Sequence, residues 1–254
     1  MNTATGVDAT GFVLTVGDAA LQPDYQPVLE DVCATLSQSG LDGIYVYGSV
    51  ARGEASPGES DLDLTLVLID PPDEPALEQL EALRQALEKR HPMVTKIDFD
   101  IGHRAEVLAL ENVNKWGFWL KHHCRCVWGN DLSLGFERFQ PSLEIALALN
   151  GDFEAVLSGY LKRIHQADGS PQRLHLQREA ARKLIRATNT LRAPDATTWP
   201  RTLEEHVALF VQHHPAMRIQ VAYFLFEACN PSAEGEPFTT RLQAFVTWMV
   251  SQQA

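Results

Sequence analysis

The chain has 254 residues, of which 45% are hydrophobic and 21% are charged, and its formal net charge is −12. This composition predicts a globular core, while the acidic balance argues against extended nucleic acid as a partner, because a protein that binds it needs basic residues to neutralise phosphates. The apolar runs are too short for a membrane helix, and the amino-terminal segment lacks the pattern of a secretory signal. Four cysteines are too few for a disulfide scaffold. We therefore expect a cytoplasmic protein without membrane association.

The first half of the chain alternates helical and strand patterns. Helices are predicted where apolar residues recur at helical spacing, and strands where β-branched and aromatic residues cluster between turn residues. The predicted elements, in chain order, are a helix at 24–39, strands at 43–48 and 61–69, a helix at 74–90, a strand at 93–102, a helix at 105–122 and a short strand at 124–128. This order predicts a small α/β domain with a mixed sheet, which we place at residues 1–132.

The second half of the chain is helical throughout. Its segments have helical periodicity and are separated by breaks near residues 169, 194–200 and 231–237, where Pro and Gly are found. We predict four or five helices in an all-helical domain at residues 133–254. The predicted fold class is therefore α+β, with a small α/β domain followed by a helical carboxy-terminal domain.

Two carboxylates, Asp61 and Asp63, lie in the second predicted strand, which is otherwise apolar. Residues two apart on a strand point to the same face. Two carboxylates about 4 Å apart repel each other by about 1 kcal/mol in water and by about 4 kcal/mol at a protein-like dielectric. A divalent cation would remove this penalty, and Mg²⁺ suits the position because it takes carboxylate oxygens and completes its shell with water and phosphate.

Upstream, the segment GSVARG at residues 48–53 follows the first predicted strand. Gly48 allows the backbone to turn and to approach a ligand closely, and Ser49 offers a hydroxyl group. If a helical turn begins here, its free N–H groups form an anion site. One end of the sheet would then offer donors to phosphate, next to acids that bind the bridging metal.

The third predicted strand adds Asp98 and Asp100, which share a face with each other and with Lys96. If this strand lies beside that of Asp61 and Asp63, a third carboxylate joins the cluster. Such a cluster supports in-line displacement at phosphorus with two metal ions. The third acid can hold the metal at the nucleophile or accept the proton of an attacking hydroxyl group.

These motifs resemble the polymerase-beta-like nucleotidyltransferase superfamily, whose pattern is Gly-Ser, a spacer, Asp-x-Asp and a later strand with a third acid. The match lies in YGSVARGEASPGESDLDL at residues 47–64, and CVWGNDL at 126–132 is similar to the segment that closes the catalytic domain in the prokaryotic branch. The resemblance covers roughly residues 25–132, and antibiotic adenylyltransferases of this superfamily also have a helical second domain. It implies nucleoside triphosphate at Gly48 and Ser49, metal at Asp61 and Asp63, and a third acid at Asp98 or Asp100, of which we prefer Asp98.

Two basic residues are further candidates for contact with the nucleotide. Arg52 either touches a phosphate or pairs with Asp61 or Glu54, and the sequence leaves both alternatives open. Lys183 lies beside a helical stripe of arginines at 178, 182 and 186. This stripe is either a solvated face or the lining of a cleft where Lys183 contacts triphosphate.

The sequence therefore predicts a Mg²⁺-dependent nucleotidyltransferase. We expect it to move AMP from ATP to a hydroxyl group of a small molecule, with release of pyrophosphate. An aminoglycoside-like cation would fit the acidic balance. Two alternatives are adenylylation of a protein, as in small nucleotidyltransferases paired with toxins, and a module that binds nucleotide without turnover. The acceptor, the preferred base and the oligomeric state are left open.

Overall fold

The computed structural model describes residues 6–16, 21–232 and 235–253. The chain divides into two compact units. Leu14–Phe139 form the first unit, and the chain from Gln140 onward forms the second together with the described residues before Leu14.

The first unit is built on a four-stranded sheet with the strand order β3-β2-β1-β4. Its strands are β1 Leu41–Tyr47, β2 Leu62–Leu68, β3 Ile97–His103 and β4 Arg125–Gly129. Strands β2 and β3 are parallel, whereas β1 is antiparallel to both β2 and β4. The sheet is therefore mixed, as the sequence predicted, and β2 lies directly beside β3, which is the condition for a third carboxylate to join the cluster.

One face of this sheet is covered by two helices of the same unit. The helices of the unit are α1 Gln26–Leu36, α2 Gly48–Arg52, α3 Glu74–Arg90, α4 Arg104–Leu108 and α5 Phe118–His123. Helices α1 and α3 share a buried apolar cluster with every second residue of β2, namely Leu62, Leu64 and Leu66. Helix α3 begins where the Asp73 side chain accepts a hydrogen bond from the Ala76 N–H, which caps a helix start.

The opposite face of the sheet is covered by the segment that follows β3. The sequence predicted one helix at 105–122, but this was wrong. The backbone at Ala109 is extended, with φ −64° and ψ 135°, so that α4 ends there. A 3-10 turn at Leu110–Asn112 and a π-helical turn at Val113–Gly117 precede α5. These turns bring Trp116 onto Gly102 of β3, where any larger residue would meet the indole ring.

The second unit is helical in its described residues. Its helices are α6 Leu143–Asn150, α7 Phe153–Gln166, α8 Ser170–Ala187, α9 Leu203–His213, α10 Arg218–Cys229 and α11 Gly235–Gln253. The described part thus has six α-helices, more than predicted, because a break at Gly151 and Asp152 separates α6 from α7. The core contains Leu184, Phe224 and Leu242, all nearly inaccessible to solvent. Of the helices that the structure describes, none has the length and apolarity required to cross a membrane.

Candidate active site

The candidate site begins at the turn that links β1 to α2. Gly48 has a φ of +71°, a conformation that glycine adopts readily and residues with a Cβ avoid. The turn is also tight against β2, because a Cβ at residue 48 would lie 2.2 Å from Asp63 Oδ2. Glycine is therefore required here for two reasons, and the Asp63 carboxylate lies directly against the Gly48–Ser49 turn.

Strand register places the acids in rows across the sheet. Tyr47 of β1 pairs with Asp63 of β2, which in turn pairs with Asp98 of β3. Since neighbouring strands lie about 4.8 Å apart, Asp63 and Asp98 are adjacent on one face. The next row on this face contains Thr65 and Asp100. The sheet therefore brings Gly48, Asp63, Asp98 and Asp100 together. They lie on the face opposite α1 and α3, at the end of the strands that is nearest the Gly48–Ser49 turn.

Asp61 lies just before β2, where its half-buried carboxylate accepts a hydrogen bond from the Thr95 hydroxyl group. Asp98 Oδ1 is 2.6 Å from Lys96 Nζ, and both side chains are more than a third exposed. The lysine charge reduces the repulsion between Asp98 and the neighbouring acids. A metal ion at Asp98 would compete with this ion pair.

Asp100 and Tyr47 form a hydrogen-bonded pair beside the other acids. Although part of Asp100 is exposed, desolvation by the surrounding protein raises the pKa of its carboxyl group. The charge of Asp98 raises this pKa further. The hydrogen bond from Tyr47 and the charge of Lys115 lower it. Desolvation and the acids Asp100 and Asp63 also raise the pKa of Tyr47. The tyrosine therefore keeps its proton and donates a hydrogen bond to the Asp100 carboxylate.

Sequence reasoning missed Tyr47 as part of the site. Its ring packs edge-on against Trp119 with centroids 4.9 Å apart, and Trp119 Nε1 donates to the Thr65 hydroxyl group at 3.0 Å. The sequence did contain a pattern that indicates this position. Side chains alternate along β1, so Tyr45 and Tyr47 lie on the face opposite Ile44 and Val46. A tyrosine immediately before the Gly-Ser turn must lie beside the acids of the next strand.

Two candidate residues form ion pairs with carboxylates that do not belong to the cluster of Asp61, Asp63, Asp98 and Asp100. Arg52 Nε forms a 2.7 Å ion pair with Glu54 Oε2, and both side chains are at least a third exposed. Lys183 belongs to the helical unit, where its Nζ is 2.8 Å from Asp152 Oδ1. Contact of Arg52 or Lys183 with phosphate stays a prediction.

The donor chemistry of the site fits Mg²⁺. Among the described residues, no group of three or more His, Cys, Asp or Glu side chains is arranged to hold a metal ion. Asp63 and Asp98 nevertheless offer two adjacent carboxylates. Mg²⁺ commonly takes one or two carboxylates from a protein and fills its remaining positions with water and substrate phosphates. The arrangement therefore suits an ion that binds together with a nucleotide.

Comparisons with known proteins agree with this geometry. The family described as "Nucleotidyltransferase domain" matches residues 28–109, which include β1, β2 and β3. No curated protein matches the chain by sequence. Among solved structures, the chain is similar to the spectinomycin adenyltransferase AAD(9) from Enterococcus faecialis, solved with ATP and spectinomycin. The TM-score is 0.59 at 15% identity, over 87% of this chain and 96% of that chain.

This likeness confirms the α+β fold class, and the family match confirms the resemblance drawn from the Gly-Ser and Asp-x-Asp motifs. The chain therefore contains a nucleotidyltransferase domain at residues 28–109.

Proposed function

We propose that the protein transfers AMP from ATP to a hydroxyl group of a small molecule in a Mg²⁺-dependent reaction that releases pyrophosphate. The observation that carries the proposal is the contact of the Asp63 carboxylate with Gly48, beside Asp98 on the neighbouring strand. A phosphate group at the Gly48–Ser49 turn would lie next to ligands for a divalent cation. The crystallisation of a similarly folded adenyltransferase with ATP supports this choice of nucleotide.

The residues divide the chemistry among them. Gly48 and Ser49 would hold phosphate oxygens, and the adjacent carboxylates of Asp63 and Asp98 would hold Mg²⁺. A role of Asp61 as a further metal ligand stays a prediction. When bound, the ion would neutralise phosphate charge and stabilise the leaving pyrophosphate. Asp100 is our candidate for the group that accepts the proton of the attacking hydroxyl, because a general base works best when its pKa lies near the working pH and the pKa of this carboxyl group is raised.

The acceptor class is proposed on two grounds. The chain has a net charge of −12, and an acidic protein attracts cationic small molecules. The adenyltransferase of similar fold was solved with spectinomycin. Spectinomycin is therefore a candidate acceptor for this chain. We therefore propose an aminoglycoside-like acceptor with a free hydroxyl group.

The proposal is tested by incubating the full chain with Mg²⁺, labelled ATP and a panel that contains spectinomycin and aminoglycosides. We expect pyrophosphate release that depends on one panel member, together with an AMP adduct of that compound in mass spectra. The Asp63→Asn variant should fold but lose both signals. Label on a protein band would instead favour protein adenylylation, and nucleotide binding without pyrophosphate release would favour a non-catalytic module.

A further inference from the structure

Lys96 forms an accessible ion pair with Asp98, one of the two proposed metal ligands. Its Nζ is 2.6 Å from Asp98 Oδ1, and the two side chains are 38% and 39% exposed. Both members of the pair can therefore be reached by ligands from solution. Since exposed ion pairs contribute little to stability, this pair can open at a small cost in free energy. Lys96 has no assigned role in the nucleotidyl transfer proposed above.

The backbone places Lys96 near the turn that is proposed to bind phosphate. The carbonyl oxygen of Lys96 accepts a hydrogen bond from the Leu62 N–H at 2.8 Å, so that Lys96 lies beside the start of β2. The next residues of the two strands set Asp98 against Asp63, whose carboxylate contacts the Gly48–Ser49 turn. Because β2 separates β3 from β1, the lysine and the turn lie on either side of Asp63. A triphosphate that extended from the turn across Asp63 would bring its oxygens toward Lys96.

A second carboxylate near Lys96 is already occupied. Hydrogen bonds from Arg84 and Gln85 lower the pKa of Glu81, and the charge of Lys96 adds a smaller effect. Both oxygens of Glu81 accept hydrogen bonds from Arg84, at 2.7 Å from Nε and at 2.7 Å from Nη2. A lysine released from Asp98 would therefore gain little at Glu81, whereas a phosphate oxygen would offer it a new charged partner.

The charges of the site favour different partners for Lys96 before and after ligands bind. When no cation is bound, the ammonium group offsets the repulsion between the adjacent carboxylates of Asp63 and Asp98. With a divalent cation at these carboxylates, the same ammonium group would lie next to a like charge. Lysine carries a point charge on a flexible stem and binds phosphate readily, so that Lys96 can leave Asp98 for the nucleotide.

We propose that Lys96 is a displaceable counter-ion of the site. It neutralises Asp98 when no cation is bound, and it moves to a phosphate oxygen when a nucleotide binds together with a divalent cation. This inference rests on the proposed function, because it requires nucleotide to bind beside Asp63 and Asp98. One side chain then opposes the binding of the cation alone and favours the binding of the nucleotide.

The first half of the test measures the binding of a cation to the full chain without nucleotide. Mn²⁺ is the probe, since it prefers the same oxygen ligands as Mg²⁺ and its free concentration is measured by electron paramagnetic resonance. In Lys96→Met, we expect Kd for Mn²⁺ to fall by about 3-fold, as for the loss of a competing exposed ion pair. Lys96→Arg, which retains a cation, should stay close to the unmodified chain.

The second half measures the binding of nucleotide by calorimetry, with Mg²⁺ and the non-transferable analogue α,β-methylene ATP. We expect Kd for the analogue to rise by about 10-fold in Lys96→Met, because a charged hydrogen bond to phosphate is lost. The matched control is Lys89→Met, which removes an exposed lysine of the same unit at the end of α3. This control should change neither constant.

Unchanged or weaker binding of Mn²⁺ in Lys96→Met would overturn the inference, and so would unchanged or stronger binding of the analogue. If the unmodified chain transfers AMP but Lys96→Met binds both probes like Lys89→Met, the inference fails and the proposed function stands. If the chain binds the analogue but transfers no AMP, the proposed function fails, whereas opposite changes of the two constants still support the inference. A chain that binds no analogue refutes both.

Discussion

Gly48 and Asp63 are in direct contact: the carboxylate of Asp63 occupies the space in which any Cβ at residue 48 would lie, 2.2 Å from Oδ2. The turn that is proposed to bind phosphate and the acid that is proposed to bind metal are therefore fixed relative to each other. Neither can be displaced without displacing the other.

Substitution of Gly48 by alanine should consequently damage the site more than the fold. The positive φ costs about 1–2 kcal/mol for a residue with a Cβ, and the clash moves the Asp63 carboxylate. Because misplacement of a reacting group by about 1 Å can cost about 100-fold in rate, we expect a loss of that order in kcat/KM for pyrophosphate release. Activity assays and urea denaturation measure the two effects.

The matched control is Gly58→Ala. Gly58 has a φ of +81° but nothing within 4 Å of an added Cβ. This variant should show a similar loss of stability and nearly unchanged activity. Equal activity in the two variants would contradict the role of the contact between residues 48 and 63.

Asp98 and Asp100 should give different phenotypes when changed to asparagine. Asp98 lies beside Asp63 in the row nearest the turn, so Asp98→Asn should raise the Mg²⁺ concentration for half-maximal activity by about 10-fold or more. Asp100→Asn should lower kcat with little change in the Mg²⁺ requirement, and should abolish the acidic limb of the pH–rate profile. Reversed phenotypes would exchange the two proposed roles.

Tyr47→Phe tests the hydrogen bond to Asp100. The bond lowers the pKa of the carboxyl group, so its removal should raise that pKa further, as measured by carbon NMR of the Asp100 carboxyl. Since a raised pKa in the folded state costs stability as pH rises through it, the variant should lose more stability at pH 7 than at pH 4. An equal loss at both values would indicate that only packing against Trp119 was affected.

Lys183→Met tests whether the lysine acts on the nucleotide. If its charge contacts triphosphate, KM for ATP should rise about 10-fold, the equivalent of about 1.4 kcal/mol. The control is Asp152→Asn, which breaks the ion pair with Lys183 but retains the cation. An unchanged KM in Lys183→Met would leave the arginine and lysine stripe as a solvated face.

Asp31 lies outside the candidate site and should make the stability of the fold depend on pH. A hydrogen bond from Arg90, assisted by His91 and Thr35, lowers the pKa of Asp31 from 3.8 to about 2. A lowered pKa stabilises the fold above about pH 4, and this contribution is lost as the pH falls toward 2. Asp31→Asn should therefore cost about 0.5–1 kcal/mol at pH 7, a value reduced by solvent screening.

Urea denaturation at pH 7 and at pH 3 checks this expectation, because the difference between Asp31→Asn and the unmodified chain should shrink at the lower pH. Asp70→Asn serves as the control, since Asp70 is exposed. A constant difference across the pH range would show that Asp31 acts through packing rather than charge.

The sequence predicted those features that depend on local periodicity and motif order. The helix at 74–90 was predicted with its observed bounds because its apolar stripe, capping Asp73 and terminal Lys89 and Arg90 all agree. The break at Ala109 was not predicted, because the sequence around it favours a helix and the turns that follow are set by the packing of Trp116 on Gly102.

The acids were predicted as candidates, but their rows were not. Alternation places Asp98 and Asp100 on one face, yet only the register of β2 with β3 sets Asp98 beside Asp63. Register between two parallel strands depends on long-range packing, which a single sequence does not reveal. For the same reason, the Asp152 partner of Lys183, 31 residues away, required the structure, whereas the Glu54 partner of Arg52 was one of the alternatives that the sequence left open.

The amino-terminal residues have a practical consequence for dissecting this protein. Gly6 packs so tightly on Trp199 that a Cβ there would lie 1.7 Å from its carbonyl oxygen, and Val7 forms a bridge with Val13. An expression fragment that starts at Gln140 would lack this packing against the backbone of Trp199. Splitting the gene at one point therefore cannot yield an intact helical half; that half needs the opening peptide supplied in trans or rejoined by circular permutation.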